Sequence, residues 1–405
     1  MRKMKDSGIE WIGEIPESWG CSKVKYYIQI SNGSDPKTEG DIPVYGSGSG
    51  CFKTCGESKD GPAVLLGRKG TIDIPRYIEG KYWNVDTAFD VKTDETSLLL
   101  KYYFYLSTCF DYRFYTATTT LPSMTQTSYE NMFIPVPDID MQHKIVAYIE
   151  SKCKELDMII AAKEKTNELL KERRQSIIYE AVTKGLDPTV SMQDSGVEWI
   201  GEIPESWSVG KLGYFIQVFN GDRSSNYPSG NDLQEEGIPF LTSSNLEKDE
   251  LTLFGCKYIS QEKYDSMGGF KMQINDIIYC LRGSVGKCSI NLTETQGTVA
   301  SSLMGIRCTN IYPKFLLYVL KSSVIETQNA LFMNGTCAAN LSAENVVEYK
   351  IPVLDTEMQI DIVSYLDKKC TELDDLITSN ETTIEKLKEY RQSVIYEAVT
   401  GKVEV

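Results

Sequence analysis

The chain has 405 residues, 41% of them hydrophobic and 24% charged, and a formal net charge of −15. That length exceeds one ordinary core and suits two or more domains, while the composition reads as soluble and globular, with no apolar run near the ~18 residues of a membrane span. The acidity argues against a simple basic nucleic-acid binder, so a DNA ligand would need a few focused cations or positive charge supplied by partner subunits.

The opening MRKMKDSG runs straight into Asp6 and Glu10 without an apolar stretch, so no secretory signal is expected and the expected compartment is the cytoplasm. Eleven cysteines without a CxxC pair, and a single histidine, His143, give no expectation of disulfides or zinc. Cys51 and Cys55 are expected to be small half-buried hydrophobes.

Asp6 to Trp19 (DSGIEWIGEIPESW) returns as Asp194 to Trp207 with one substitution, Ile9 to Val197, at an offset of 188. Glu172 to Thr183 (ERRQSIIYEAVT) returns as Glu389 to Thr400 (EYRQSVIYEAVT) at an offset of 217. A frame that matches itself around inserts that do not implies one scaffold presenting two different surfaces. The expected organisation is a recognition module over 1–137, a long helix over 138–187, a second module over 188–353 and a second long helix over 354–405.

The first variable segment, 31–133, reads as a mixed α/β module with many loops and short strands such as Ala63 to Leu66 and Tyr82 to Val85. A strand followed by a basic, glycine-containing turn occurs at Leu66-Gly67-Arg68-Lys69-Gly70. Arginine can pair with guanine O6 and N7, and a glycine lets backbone approach a phosphate, so Arg68 and Lys69 are candidate DNA contacts. Taken alone, such a turn is an ordinary exposed hairpin tip. Ser47, Ser49 and Lys53 follow Ile42-Pro43 and could read bases or phosphates, or serve as plain loop residues.

After Ile134-Pro135-Val136-Pro137 the texture changes to some forty-five residues without proline or internal glycine, which predicts helix. Seam positions alternate by fours and threes through Ile149, Cys153, Leu156, Ile160, Lys163, Asn167, Leu170, Arg174, Ile177 and Ala181, a heptad pattern. From Gln142 to Thr183 the helix would be about 63 Å long at about 1.5 Å per residue, so it needs a comparable partner to cover its stripe. Gly185 and Gly401 mark the expected stops. The second copy keeps the register at Leu366, Cys370, Leu373, Ile377, Asn380, Ile384, Leu387, Arg391, Val394 and Ala398. Two such copies related by a pseudo-twofold axis should pair antiparallel as a rod with the variable modules at opposite ends, with Lys163, Asn167 and Asn380 fixing register.

The second variable segment, 219–350, repeats the plan with a strand near Asp276 to Leu281 and the turn Arg282-Gly283-Ser284-Val285-Gly286-Lys287. Arg282 and Lys287, with Thr242, Ser243 and Asn245 after Ile238-Pro239, are the matching DNA candidates. Trp11, Trp19, Trp199 and Trp207 lie in the repeated frame. Identical residues cannot discriminate two DNA sequences, so they are assigned to packing of the frame or to docking of an identical partner. No Asn-Pro-Pro-Tyr or Asp-Pro-Pro-Tyr tetrapeptide, P-loop, HExxH or Ser/His/Asp set is present, so catalysis by this chain is not expected.

The IEWIGEIPESW frame and its copy, the IPVP and IPVL motifs before Met141-Gln142 and Met358-Gln359, and the RQSIIYEAVTKG and RQSVIYEAVTGK endings resemble the specificity subunit of type I restriction-modification systems. The resemblance covers nearly the whole chain. It implies two target-recognition domains joined by two helical regions in an antiparallel coiled coil, and a subunit without catalytic activity. It further implies two methyltransferase subunits using S-adenosylmethionine, and restriction subunits using ATP and Mg. Double-stranded DNA with an asymmetric bipartite site is the implied ligand. A competing reading is a scaffold or inhibitor that dimerises partner proteins and reads no DNA; a diverged nuclease subunit lacks its active-site motifs.

Overall fold

The computed structural model describes residues 2–112, 122–222, 224, 227–333 and 340–405. It divides into two compact units, one formed by Met1–Lys165 with Asn380–Val405 and the other by Thr166–Ser379. Each unit is therefore a module together with one segment from each of the two long helices.

In the first unit a hairpin, Met4–Asp6 with Glu14–Pro16, carries the repeated frame. Strand Gly20–Lys23 then pairs antiparallel with Phe133–Val136, zipping the two ends of the module together, with Ile134 opposite Ser22. Between them lie two four-stranded sheets. One is antiparallel, in the order Ile28–Asn32, Ala88–Thr93, Ala63–Gly67 and Arg76–Ile78. The other includes a parallel pair, Ile42–Tyr45 with Lys81–Asn84. Strand Ala63–Gly67 is buried at every position, which explains why its sequence, AVLLG, is an unbroken apolar run rather than an alternation.

The second unit repeats the scheme. Met192–Asp194 pairs with Glu202–Pro204, and Ser208–Lys211 with Lys350–Val353. The antiparallel sheet runs Ile216–Asn220, Leu303–Cys308, Ile277–Cys280 and Cys288–Ile290, and the parallel pair is Ile238–Leu241 with Thr298–Val299. Short helices missed by periodicity, Leu100–Ser107 in the first unit and Pro313–Leu320 and Ser323–Met333 in the second, cover the sheets. Eight to eleven residues are too few to show a helical stripe distinct from a buried strand.

The long helices span Ile139–Lys184 and Thr356–Val399. Both end at a glycine in the left-handed region, Gly185 (φ 74°) and Gly401 (φ 69°), which a side chain could occupy only under strain. In the first unit Lys163 Nζ donates to Asn380 Oδ1 at 3.0 Å and Arg391 meets Asp157 at 2.8 Å; in the second, Arg174 meets Asp374 at 3.2 Å. As one residue number rises its partner's falls, in the second unit from Arg174 beside Asp374 to Lys184 in one cleft with Asp361, so the segments run antiparallel in each unit. Asp157 and Asp374 occupy equivalent repeat positions, as do Arg174 and Arg391, so one ion pair is built twice. Lys163 and Asn380 are themselves equivalent repeat positions and meet each other within the first unit.

Two seam expectations need correction. Arg391 is exposed, although the pattern places it on the seam, because its long side chain leaves the apolar stripe to reach Asp157 in solvent. Ile149 and Leu366 do more than face the other helix: each belongs to the apolar core of its own module, so the module core and the helix pair are continuous.

The start of each long helix is tied to its module by a buried glutamine. Gln142 accepts from Leu99 N (2.9 Å) and donates to the carbonyls of Ser97 (3.1 Å) and Pro137 (3.0 Å). Gln359 does the same with Tyr312 N (2.7 Å) and Leu354 O (2.9 Å). Each amide thereby satisfies a donor at the N-terminus of a short helix, where no intrahelical partner exists. Gln142→Leu and Gln359→Leu should each destabilise by about 1–3 kcal/mol, because backbone groups are left buried and unpaired. Thermal unfolding of the single variants measures this, and a Tm equal to the parent's would contradict the assignment.

Candidate nucleic-acid interface

In the first unit, strand Ala63–Gly67 delivers the turn that holds Arg68 and Lys69. A Cβ on Gly67 would lie 2.1 Å from Thr71 O, so only glycine allows the chain to fold back this sharply. Arg68 is anchored by its amide to Thr87 O (2.8 Å), its guanidinium donates to Asp86 O (3.3 Å), and it lies over the Phe89 ring at 5.8 Å. Lys69 is exposed and its backbone bridges to Ser123. Ser47 comes beside this turn: its amide donates to Thr87 Oγ1 (3.3 Å), and its hydroxyl is 3.4 Å from where a Gly70 Cβ would stand. Ser49 is exposed at the tip of the same hairpin. Lys53 is exposed on strand Cys51–Cys55, its ammonium 5.5 Å from the Phe52 ring.

The second unit builds the same joint with other side chains. Leu281 N donates to Ser302 O (2.9 Å), and Leu341 N to Leu281 O (2.9 Å), as Met124 N does to Arg68 O (2.9 Å). Arg282 bridges to Asn340 as Lys69 does to Ser123, and Gly283 (φ 79°) stands where Gly70 (φ 84°) stands. The structural counterpart of Lys69 is therefore Arg282, and that of Arg68 is Leu281, a shift that the shared leucine and glycine letters of the two turns conceal. The Arg282 guanidinium donates through Nε to Asn340 Oδ1 (3.1 Å), which fixes the plane of its donor fork. Lys287, at the far end of the turn, pairs with Glu247 at 2.6 Å.

Of the residues after Ile238–Leu241, Thr242 and Ser243 are half-buried, and the Thr242 hydroxyl lies 2.9 Å from Ser244 Oγ. Asn245 is corrected: it is 1% exposed, accepts from Thr242 N (3.0 Å) and faces Thr252 O (3.4 Å), so it shapes the loop from inside and presents nothing to a ligand.

The tryptophans belong to a joint that sequence distance hides. The first frame sits on the end of the second long helix, with Tyr396 OH donating to Ile12 O (3.2 Å). The second frame sits on the end of the first helix through Tyr179 OH and Ile200 O (3.1 Å). Trp19 and Trp207 are 4% and 5% exposed and close against Gly401 and Gly185, where an added Cβ would meet the indole at 2.8 and 3.3 Å. Such burial corrects their assignment as partner-docking residues, leaving the packing role. Trp11 is half-buried edge-on to Phe110 at 5.3 Å, and Trp199 is half-buried at the equivalent place.

Burial pushes the thiols of Cys109, Cys288 and Cys308 up to about 12, which keeps them protonated and poor nucleophiles. Among the described residues, no group of three or more His, Cys, Asp or Glu could hold a metal ion, and no helix is long and apolar enough to cross a membrane.

The family model described as type I restriction modification DNA specificity domain matches residues 16–171 and again 204–389. The chain belongs to that family. It is a DNA-specificity subunit carrying two such domains. It is 22% identical over 387 residues to the type I restriction enzyme MjaVIII specificity subunit of Methanocaldococcus jannaschii, covering 94% of this chain and 83% of that one. It is 21% identical over 299 residues to the EcoBI specificity subunit of Escherichia coli, covering 71% and 62%. A solved structure described under complex assembly and conformational transition of the type I R-M system superposes with a TM-score of 0.71 at 15% identity, over 96% of this chain and 99% of that one, which places the fold.

Because Trp19 and Trp207 each close a core, Trp19→Ala and Trp207→Ala in this specificity subunit should cost about 3–5 kcal/mol of stability. Chemical denaturation checks this: a variant with parental stability that merely fails to bind a partner would restore the docking role.

Proposed function

We propose that each unit reads one half of an asymmetric, bipartite DNA site, and that the paired long helices set the length of the unread spacer. One observation carries this: the same turn, with the same backbone partners, presents lysine at position 69 and arginine at position 282. Lysine is a compact point charge suited to phosphate or a single base acceptor, whereas a planar guanidinium suits the two acceptors of guanine. Matched geometry with unmatched chemistry is what two dissimilar half-sites demand.

The net charge of −15 sets the second requirement. A chain this acidic gains little from the phosphates, so positive surface from partners must enclose the duplex. Two methyltransferase subunits, one for each copy of the frame, fit the internal symmetry, with S-adenosylmethionine bound in them. Restriction subunits using ATP and Mg would join that assembly.

Co-expression with the cognate methyltransferase, followed by single-molecule methylome sequencing, should return a bipartite motif of methylated adenines; uniform or absent methylation would defeat the proposal and favour the scaffold reading. Exchanging residues 31–133 for another insert should change one half-site and leave the other intact. In binding titrations Arg282→Ala should cost about 1–3 kcal/mol and relax preference at one base pair, whereas Lys69→Ala should weaken all sequences more evenly.

A further inference from the structure

The second unit contains an ion network whose placement the domain matches do not explain. Asp249, in the loop between strands Ile238–Leu241 and Lys257–Ile259, accepts from Arg174 Nη2 at 2.7 Å and from Lys321 Nζ. Arg174 lies on the first long helix and also meets Asp374 of the second, at 3.2 Å. Lys321 caps the end of helix Pro313–Leu320. A single carboxylate thus ties the module to both helices and to the helix that covers its sheet.

The same loop supports the candidate reading turn. Ile290 N donates to Asp249 O (2.9 Å), Ser289 Oγ to Lys248 O (2.6 Å), and Lys287 Nζ pairs with Glu247. Cys280 N donates to Lys287 O (2.8 Å), and Gly286 N to Cys280 O (3.1 Å), which closes the turn that carries Arg282. From Arg174 the path to that turn runs through these hydrogen bonds and the short backbone stretches 247–249 and 287–290 that join them. Beside it opens a cleft of about 940 Å³ lined by Lys171, Arg174, Lys248, Asp249, Lys287 and Lys321 among others, so polar bridges border the apolar packing that joins the module to the helices.

The two copies of the helix arginine differ accordingly. Arg174 is 14% exposed, whereas its repeat counterpart Arg391 is 45% exposed and paired with Asp157. Burial raises the Asp249 carboxyl, but Lys321 and Arg174 outweigh it and hold the group below its usual range. A part-buried, doubly paired carboxylate is worth more than a solvent-exposed pair, which typically contributes little.

We propose that Asp249 is a positioning residue that locks the Arg282 turn to the long helices and so fixes where the second half-site must lie along the DNA. This rests on the bipartite reading above. With the clamp released, the turn would still recognise its bases but would tolerate them at neighbouring positions.

The test uses the whole methyltransferase complex, assembled with the parent chain, Asp249→Asn, Asp249→Glu, Lys321→Gln or Arg391→Ala. Substrates are duplexes carrying both parental half-sites with the parental spacer, or with spacers one base pair longer or shorter. For Asp249→Asn and Lys321→Gln, the ratio of methylation on the parental spacer to that on the altered ones should fall by about tenfold, the scale expected on losing a charge-assisted bond. Asp249→Glu and Arg391→Ala should keep the parental ratio. An unchanged ratio in both Asp249→Asn and Lys321→Gln, or an equal loss on every spacer with a lowered Tm, would overturn the clamp. A parent complex that gives no bipartite motif would instead overturn the reading beneath it.

Discussion

Everything in this chain depends on how the long helices end. Each terminates in a glycine that turns left-handed against a tryptophan from a repeated frame, and each frame belongs to the copy opposite the helix it receives. Gly185 and Gly401 are therefore more than stop signals. A Cβ at Gly401 would stand 2.7 Å from the Pro16 ring, so the absence of a side chain is what allows the frame to seat. With the frames seated, the ends of each module are zipped by one antiparallel strand pair, and the inserts between them can vary without disturbing the joint.

That separation of duties explains the distribution of chemistry. Residues that recur, Trp19 and Trp207, Tyr179 and Tyr396, Gln142 and Gln359, are spent inside, on burial and on backbone groups that would otherwise lack partners. Residues that differ between the copies at matched positions, Lys69 and Arg282, are exposed. Geometry constrains the first set; on the proposed reading a DNA sequence constrains the second, so that one scaffold would acquire new specificities by replacing an insert.

Much of this was legible in the residues because local rules governed it. The heptad spacing and the two glycines located both long helices, and the apolar runs near 63–66 and 276–281 are indeed strands. What the residues concealed depended on non-local pairing. The roles of Gln142 and Gln359 require knowing that residues some forty-five positions away donate to them. The equivalence of Lys69 with Arg282 emerges only from the bridges to Ser123 and Asn340. Asn245 looked like a polar loop residue and proved to be interior, because a 3-10 turn needs its amide. Periodicity placed Arg391 on the seam, yet an arginine can keep its stem near the stripe while its charge seeks Asp157.

The exchange of helix ends also makes the two units unequal in how they can form. The second unit is one continuous stretch, Thr166–Ser379, so all its partners are present once that stretch has been synthesised. The first requires Asn380–Val405, including Tyr396 for Ile12 and Val399 O for the buried Tyr102 hydroxyl (3.0 Å), contacts separated by 384 and 297 residues of sequence. Closing so long a loop costs entropy that only completed packing offsets. The first module must therefore wait, its frame unseated, until the last helix arrives. Folding of the first unit then finishes at the joint between its frame and the end of the second long helix.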